Sequence, residues 1–330
     1  MKLLITGASG FLGRAVVTAA LQQGHQVAAM IRPKTDETRL SWHNHAAVEL
    51  VRLDLRQRRG LTEAVAGCDV VIHLAAVKGG DFYEQFAGTV MATENLLSAM
   101  SEVNVKRLVA ISTFSVYDYL ELPQGALLDE NAPIEDEPDD RDGYAQTKLI
   151  QEKLVREFQK HNSGQVTIIR PGMVYGPDNL WNPCLGAEFG SRFLRIGSSG
   201  RMPLTYVENC AEAIVMAAVK NEAIGQTINI VDDNLPTKRG FAQALLQKDP
   251  SPPKVVPVNW GFMRLLAGTA WFVNQKFLQG QARLPGLLVP AKLHGRFRPH
   301  RYSNQRAKQL LGWSPRYALD EAIARSLQNS

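Results

Sequence analysis

Tyr144 and Lys148, in the stretch YAQTK, set a phenol and an ammonium four residues apart. Four residues is about one turn of helix, so the two side chains share a face. A tyrosine in water titrates near 10, and a neighbouring cation favours its phenolate at neutral pH. The phenolate is a usable general base, and in reverse the phenol protonates an alkoxide. The same spacing also arises by chance on surface helices, so the pair needs company. ISTFSVY supplies it: Ser112, Thr113 and Ser115 end the apolar run KRLVAIS, where a hydroxyl can hold a substrate oxygen beside the phenol.

A second group of residues suits an anion. KLLIT runs into TGASGFLG and then into the helical pattern RAVVTAALQQ. Gly7, Gly10 and Gly13 let the chain turn tightly, approach a pyrophosphate with bare backbone and pack helix on strand. The helix start adds unpaired N–H groups and the positive end of its dipole. With Ser9, Phe11 and Leu12 between the glycines, this loop is the expected dinucleotide site. The strand QVAAMI ends at Arg32, where an NAD-selective protein usually carries an acid for the ribose hydroxyls. An arginine there can pair with a 2′-phosphate, which favours NADP(H) over NAD(H). Asp54 and Leu55 close the next strand, where a carboxylate can accept from an adenine amino group.

These residues need a scaffold that brings strand ends together. KLLIT, QVAAMI, VELVRL, DVVIHLAA, KRLVAIS and QVTIIR read as buried strands, and most of the stretches between them are amphipathic at helix length, including 83–100 and 143–160. The pattern predicts an α/β fold, a Rossmann-type doubly wound parallel sheet, over residues 1–170. From 171 to 330 the rhythm loosens into a smaller substrate-binding region, with a short helix over 209–220 and the strand QTINIV. Some of its strands and helices are expected to return to the first domain. The acidic stretch LDENAPIEDEPDDRDG, with eight carboxylates, reads as a solvated connection.

Composition narrows the function classes. The chain has 330 residues, 45% hydrophobic and 21% charged, as an ordinary globular protein does. The initial apolar run breaks at glycine too early for a signal peptide, so no export is expected. The most apolar segment, LLAGTAWFV, is shorter than the roughly 20 residues that cross a bilayer. Cys68, Cys184 and Cys210 are odd in number and far apart, which suits a reducing cytoplasm and suggests neither a disulfide framework nor a metal cluster. Residues 276–316 hold nine Lys or Arg and no acid, and the remaining 28 basic residues face 32 acidic ones. An anionic partner should therefore be sought in that segment, but without interleaved aromatics or a recognised module it does not carry a nucleic-acid role.

Taken in order, these motifs resemble the extended short-chain dehydrogenase/reductase family, which includes NAD(P)-dependent epimerases and dehydratases. TGASGFLG is similar to its cofactor loop, the DL at Asp54 to its adenine-side pair, HLAA from His73 to its fourth-strand motif, and STFSVY to its catalytic Ser/Thr segment. YAQTK resembles its active-site Tyr-x-x-x-Lys, RPGMVYGP its nicotinamide-side loop, YVENCAEAI its substrate-domain helix and LGWSP its carboxyl-terminal motif. The resemblance implies that Tyr144 is the acid/base, that Lys148 lowers its pKa and holds the nicotinamide ribose, and that Thr113 orients the substrate oxygen. Counting back from Val116 and Tyr117 selects Thr113 over Ser112. The resemblance also places Leu74, Ala75, Ala76, Pro171, Gly172, Met173 and Val174 against the cofactor, and implies a helix-paired homodimer. His73 reads as a packed histidine rather than a catalytic one. Two departures stand out: Thr89 replaces a common asparagine, which puts a proton relay there in doubt, and no Asp-Glu pair follows Thr113, which disfavours sugar-nucleotide dehydration.

The small-molecule substrate is less determined. Arg296, Arg298 and Arg301 in GRFRPHR suit a diphosphate, with Ser115 also facing substrate, and lean the expectation to a nucleotide-sugar epimerase. The apolar WGFMRLLAGTAWFV and the sequence YVEN point instead to a ketone or aldehyde reductase, or a hydroxysteroid-dehydrogenase-like enzyme, and the apolar stretch could also line a pocket, touch a membrane surface or form an ordinary core helix. A cofactor-binding sensor without catalysis is disfavoured, because both Tyr144 and Lys148 are present.

Overall fold

The structure is a computed structural model that describes residues 1–279, 281–282 and 284–328. Seven strands, β1 (Lys2–Thr6), β2 (Gln26–Ile31), β3 (Val48–Arg52), β4 (Val70–His73), β5 (Arg107–Ile111), β6 (Gln165–Pro171) and β7 (Thr227–Ile230), form one parallel sheet. Their order is β7-β6-β5-β4-β1-β2-β3, so the direction of winding reverses between β1 and β4. Ligands of such sheets bind at that reversal, beyond the carboxyl ends of the strands. The expected α/β architecture is the one observed, and QTINIV extends this sheet at its edge.

Alternation along the strands divides the core in two. Leu3, Ile5, Val70, Ile72, Val109 and Ile111 face one side, against helices α1 (Phe11–Gln22) and α4 (Val207–Val219). Leu4, Val71, Leu108 and Ala110 face the other, against α2 (Ala92–Glu102) and α3 (Gly143–His161). Strands covered on both faces must be apolar throughout, which is why these six runs are legible in the sequence. Asp142 caps α3, its carboxylate accepting from the Ala145 N–H at 3.0 Å. The expected helix over 83–100 is instead a short helix Phe82–Phe86, a π turn Ala87–Met91 and then α2. A π turn inside a helix often marks a functional site.

The carboxyl-terminal region adds a three-stranded sheet of Gly186–Phe189, Arg192–Ile196 and Lys254–Val258, then helices α5 (Trp260–Phe277) and α6 (Pro290–Phe297). A short pairing of Leu127–Leu128 with Arg301–Tyr302 ties this region back to the acidic connection. That connection is not uniformly solvated, contrary to the sequence reading. The Glu130 side chain is only 4% exposed, with Asn229 N–H donating to it at 2.8 Å and Arg306 beside it at 3.6 Å. Glu135 is buried against Arg141 at 2.9 Å. Burial raises the Glu130 carboxyl above its usual range, and the Asn229 hydrogen bond and the Arg306 charge offset only part of that penalty.

Candidate active site

The nucleotide loop begins where β1 ends. Gly7 has φ +69°, and a Cβ there would lie 3.0 Å from the Ala75 nitrogen, so only glycine fits between the ends of β1 and β4. A Cβ on Gly13 would fall 2.1 Å from the Gly7 carbonyl oxygen. The Gly10 N–H closes the turn onto that same oxygen at 3.0 Å. Gly10 is also the N-cap of α1 and offers no side-chain cap, which leaves the first-turn N–H groups for an external anion. A bare cradle at an uncapped helix start fits the diphosphate of a dinucleotide. Ser9, Phe11 and Leu12 are partly buried along it, and Leu74, Ala75 and Ala76 form the opposite lip.

Arg32 is exposed at the end of β2. Beside it, hydrogen bonds from Arg56 hold the Asp54 carboxyl below the usual range, and Arg32 adds its charge. Both Asp54 oxygens accept from Arg56, at 3.0 Å to Nε and 2.5 Å to Nη2. Leu55 is buried, and its carbonyl accepts from the Asn95 amide at 2.9 Å. The residue expected at the adenine end, Asp54, is thus held in a local pair with Arg56.

Tyr144 sits in the first turn of α3, and Lys148 follows one turn later. Burial pushes the phenol up to about 12, a hydrogen bond from the Thr113 hydroxyl pulls it down, and the charge of Asp142 raises it. Ser112 turns the other way, toward Glu152, and its buried hydroxyl makes no hydrogen bond among the described residues. Thr113 is therefore the hydroxyl that meets the phenol, and it also accepts from the Ser115 N–H at 3.2 Å. The Lys148 ammonium donates to the Ile111 carbonyl at 2.6 Å and to Gln151 Oε1 at 2.7 Å. Burial, reinforced by the cation of Lys78 and opposed by Glu152, draws its pKa to about 7. In this geometry Thr113, rather than Lys148, opposes the effect of burial on the phenol.

The Lys148 contacts continue into a buried chain. Gln151 Nε2 donates to Thr93 Oγ1 at 2.8 Å, and Thr93 Oγ1 donates to the Thr89 carbonyl at 2.6 Å. With its own proton engaged, Thr93 must accept from His73 Nε2, 2.9 Å away. His73 Nδ1 is then an acceptor for the Thr6 hydroxyl at 2.8 Å, and Thr6 Oγ1 accepts from the Ala75 N–H at 3.3 Å. Burial pushes His73 down to about 3, so it stays neutral and packed, as its sequence context suggested. Thr89, in the π turn, accepts from the Val77 N–H at 3.0 Å. Its hydroxyl thus shapes the turn at 77–78 in place of the expected asparagine's role.

That turn carries a residue the sequence reading missed. Lys78 reaches over Tyr144, its ammonium 6.0 Å from the ring centroid, and the walls of the crevice lower its pKa. The signal was available in AAVKGG, a cation directly beyond the fourth strand and before two glycines. On the far side, Gly172 leaves no room for a Cβ, which would lie 2.1 Å from the Pro203 oxygen, and Met173 N–H donates to that oxygen at 2.6 Å. This close pairing sets the path from Pro171 to Val174 beside the crevice.

The arginines of GRFRPHR separate. Arg298 donates to the carbonyls of Tyr119 and Leu120, at 2.5 and 3.1 Å, and Arg301 donates to the Gly125 carbonyl at 3.2 Å. Arg296 is exposed on α6, 3.7 Å from the carboxylate of Asp142, two residues before Tyr144. Beside Arg298 lies a buried aromatic cluster: Phe114 stacks on Tyr302 at 5.9 Å between centroids, and Tyr119 meets His300 at 5.7 Å. The structure brings Tyr144, Thr113, Ser115 and Lys148 together, leaves Arg296 near them, and directs Arg298 to backbone.

Known proteins are similar to this chain over nearly its whole length. A 2-alkyl-3-oxoalkanoate reductase from Stenotrophomonas maltophilia is 27% identical over 98% of both chains. A sterol-4-alpha-carboxylate 3-dehydrogenase, decarboxylating, from Mus musculus is 26% identical over 99% of this chain and 90% of that protein. Among solved structures, UDP-glucuronic acid 4-epimerase from Bacillus cereus, in complex with UDP-glucuronic acid and NAD, superposes with a TM-score of 0.74 at 23% identity, over 99% of this chain and 98% of that one. Residues 3–231, which hold the glycine cradle, the Thr113–Tyr144–Lys148 cluster and all seven strands of the main sheet, match the pattern of one family throughout, and the chain belongs to the NAD dependent epimerase/dehydratase family as an NAD(P)-dependent oxidoreductase of the extended short-chain type.

Proposed function

We propose that this enzyme interconverts the keto and hydroxy forms of an apolar carboxylate oxygenated at the β carbon, with NADP(H) as the preferred cofactor, in the cytoplasm and as a homodimer. The observation that carries the substrate class is Arg296. It is the one arginine of GRFRPHR that is both exposed and beside the catalytic helix, 3.7 Å from Asp142, while Arg298 and Arg301 donate to backbone carbonyls. A single available guanidinium suits a carboxylate better than a diphosphate. The names of the two relatives above agree in chemistry: a 3-oxoalkanoate and a 3-dehydrogenase substrate with a 4-carboxylate each set a carboxylate on the carbon next to the reacting one.

The Gly7–Gly13 cradle, Arg32, Lys148 and the Pro171–Val174 segment would hold the cofactor, whose nicotinamide supplies or accepts the hydride. Thr113 donates a hydrogen bond to the substrate oxygen and fixes it beside Tyr144. Tyr144 delivers its proton to that oxygen during reduction and takes it back during oxidation. Thr113 also stabilises the phenolate that remains, and Lys78 brings positive charge over the ring. Arg32, exposed where a 2′-phosphate would lie, supports the NADP(H) preference.

The test is a spectrophotometric screen of 2-alkyl-3-oxo acids, their methyl esters and UDP-sugars with NADPH and NADH. Reduction of the acids is expected, with Arg296→Ala raising KM for the acid roughly tenfold to hundredfold and leaving the ester unchanged. A second reading, a nucleotide-sugar epimerase, is favoured by the same exposed Arg296 if it meets a phosphate. Epimerisation of a UDP-sugar without net cofactor turnover would replace the first reading with the second.

A further inference from the structure

Helix α5 carries three faces where a core helix carries two. Met263, Ala267 and Asn274 form the stripe that packs on α6 and on Gly286–Leu288. A second arc, spanning about 140° of the circumference at 3.6 residues per turn, holds Phe262, Leu265, Leu266, Phe272, Val273 and Phe277. These are exposed, Leu265 by 70% and Phe277 by 71%. The rings of Phe272 and Phe277 touch edge to face at 6.5 Å and make a ridge along it. Single exposed apolar residues are ordinary, but six on one helical arc form a patch that calls for an occupant. Gly261, Arg264, Gly268 and Gln275 make the third, polar face.

Charge identifies the occupant. From Ser251 to Leu319 the sequence has no Asp or Glu and has eleven Lys or Arg. Lys276 lies within the apolar arc, with its long stem free to run along the apolar surface, and Arg264 flanks it. A second copy of this chain would bring the same positive segment against itself, which repels. An anionic lipid surface complements both features, because apolar side chains enter the acyl boundary while cations meet the headgroups. No helix among the described residues is long and apolar enough to cross a membrane, so the helix would lie in the interface. We infer that the Trp260–Phe277 helix docks this enzyme reversibly on an anionic membrane surface.

The inference stands on the exposed arc and the charge, whichever substrate the enzyme takes. Its test is co-sedimentation of the full chain with sucrose-loaded vesicles of phosphatidylcholine, with and without phosphatidylglycerol. Binding to the anionic vesicles is expected, weakened by salt, at least tenfold weaker on phosphatidylcholine alone, and reduced roughly tenfold or more in Phe272→Gln/Phe277→Gln. Lys276→Glu should weaken anionic binding without affecting the phosphatidylcholine baseline. NADPH binding, followed by fluorescence, should be unchanged in all variants and shows that they fold. Absence of wild-type binding to anionic vesicles at low salt overturns the inference, as does equal binding by the double variant. So does light scattering in which the double variant converts a dimer to a monomer while vesicle binding is absent, which would assign the face to a second copy.

Discussion

A phenol held at about 12 is a poor base until its anion is stabilised, and the Thr113 hydroxyl is the group that acts against burial there. Lys78 lies over the ring, while the Lys148 ammonium is engaged by Ile111 and Gln151. Tyr144→Phe removes the proton while keeping the ring. It should lower kcat by about 10²–10⁴-fold with cofactor affinity intact, as read by steady-state kinetics beside a fluorescence titration. Arg32 acts at the other end of the crevice. Arg32→Glu should raise Kd for NADPH roughly tenfold to hundredfold while leaving NADH little changed, and isothermal titration with the two cofactors reads the difference. The glycines and Arg32 were legible from their places at strand ends, whereas Tyr144, Lys148 and Thr113 took their expected roles from the ordered resemblance to a family. Lys78 was not singled out, because only the turn shaped by Thr89 brings its ammonium over Tyr144.

Elements hold these residues through a buried polar chain rather than through apolar packing alone. β1, β4, the π turn with α2, and α3 each contribute one link: Thr6, His73, Thr93 and Gln151. His73 makes the chain sensitive to acid. In the fold it stays neutral down to about 3, whereas an unfolded chain protonates it near 6.5. Between these values the unfolded chain binds more protons, so stability rises with pH and is lost as pH falls from 6.5 toward 3. Thermal melts across this window should show a slope of up to about 1.4 kcal/mol per pH unit from this group, and His73→Gln should remove that component. Helix existence over 83–100 was readable from periodicity, but the π turn within it was not. Its extra residue follows from the side-chain bonds of Thr89 and Thr93, which have no periodic signature.

Across the whole molecule, two distant motifs prove to be partners. Asn209, from YVEN, donates to the Tyr317 carbonyl at 3.0 Å and accepts from the Tyr317 N–H at 3.0 Å, while its own carbonyl receives the Trp313 indole N–H at 3.1 Å. Trp313, from LGWSP, is thereby buried against α4 and closes the core on the outer side of the sheet. Trp313→Ala should cost about 3–5 kcal/mol, seen as a lower midpoint in denaturant with the slope unchanged. The acidic connection is drawn in by the same long-range logic, since Arg306 and Asn229 lie about a hundred residues or more from Glu130.

The sequence by itself determined the parallel sheet, placed the glycine loop after its first strand, and offered Tyr144 and Lys148 as the acid/base candidates. Each depends on interactions within one strand–turn–helix unit, where burial on both faces, a glycine cradle and a one-turn spacing leave a local record. Tertiary structure alone decided which arginines remain available, which carboxylates are buried, and that the apolar face of α5 lies outward. Arg296 and Arg298 are alike in sequence and differ only in whether backbone carbonyls from residues 119–120 reach them. An apolar arc likewise reads the same whether it is covered or exposed, because hydrophobicity records a preference for burial and only the packing of other elements determines whether the fold satisfies it.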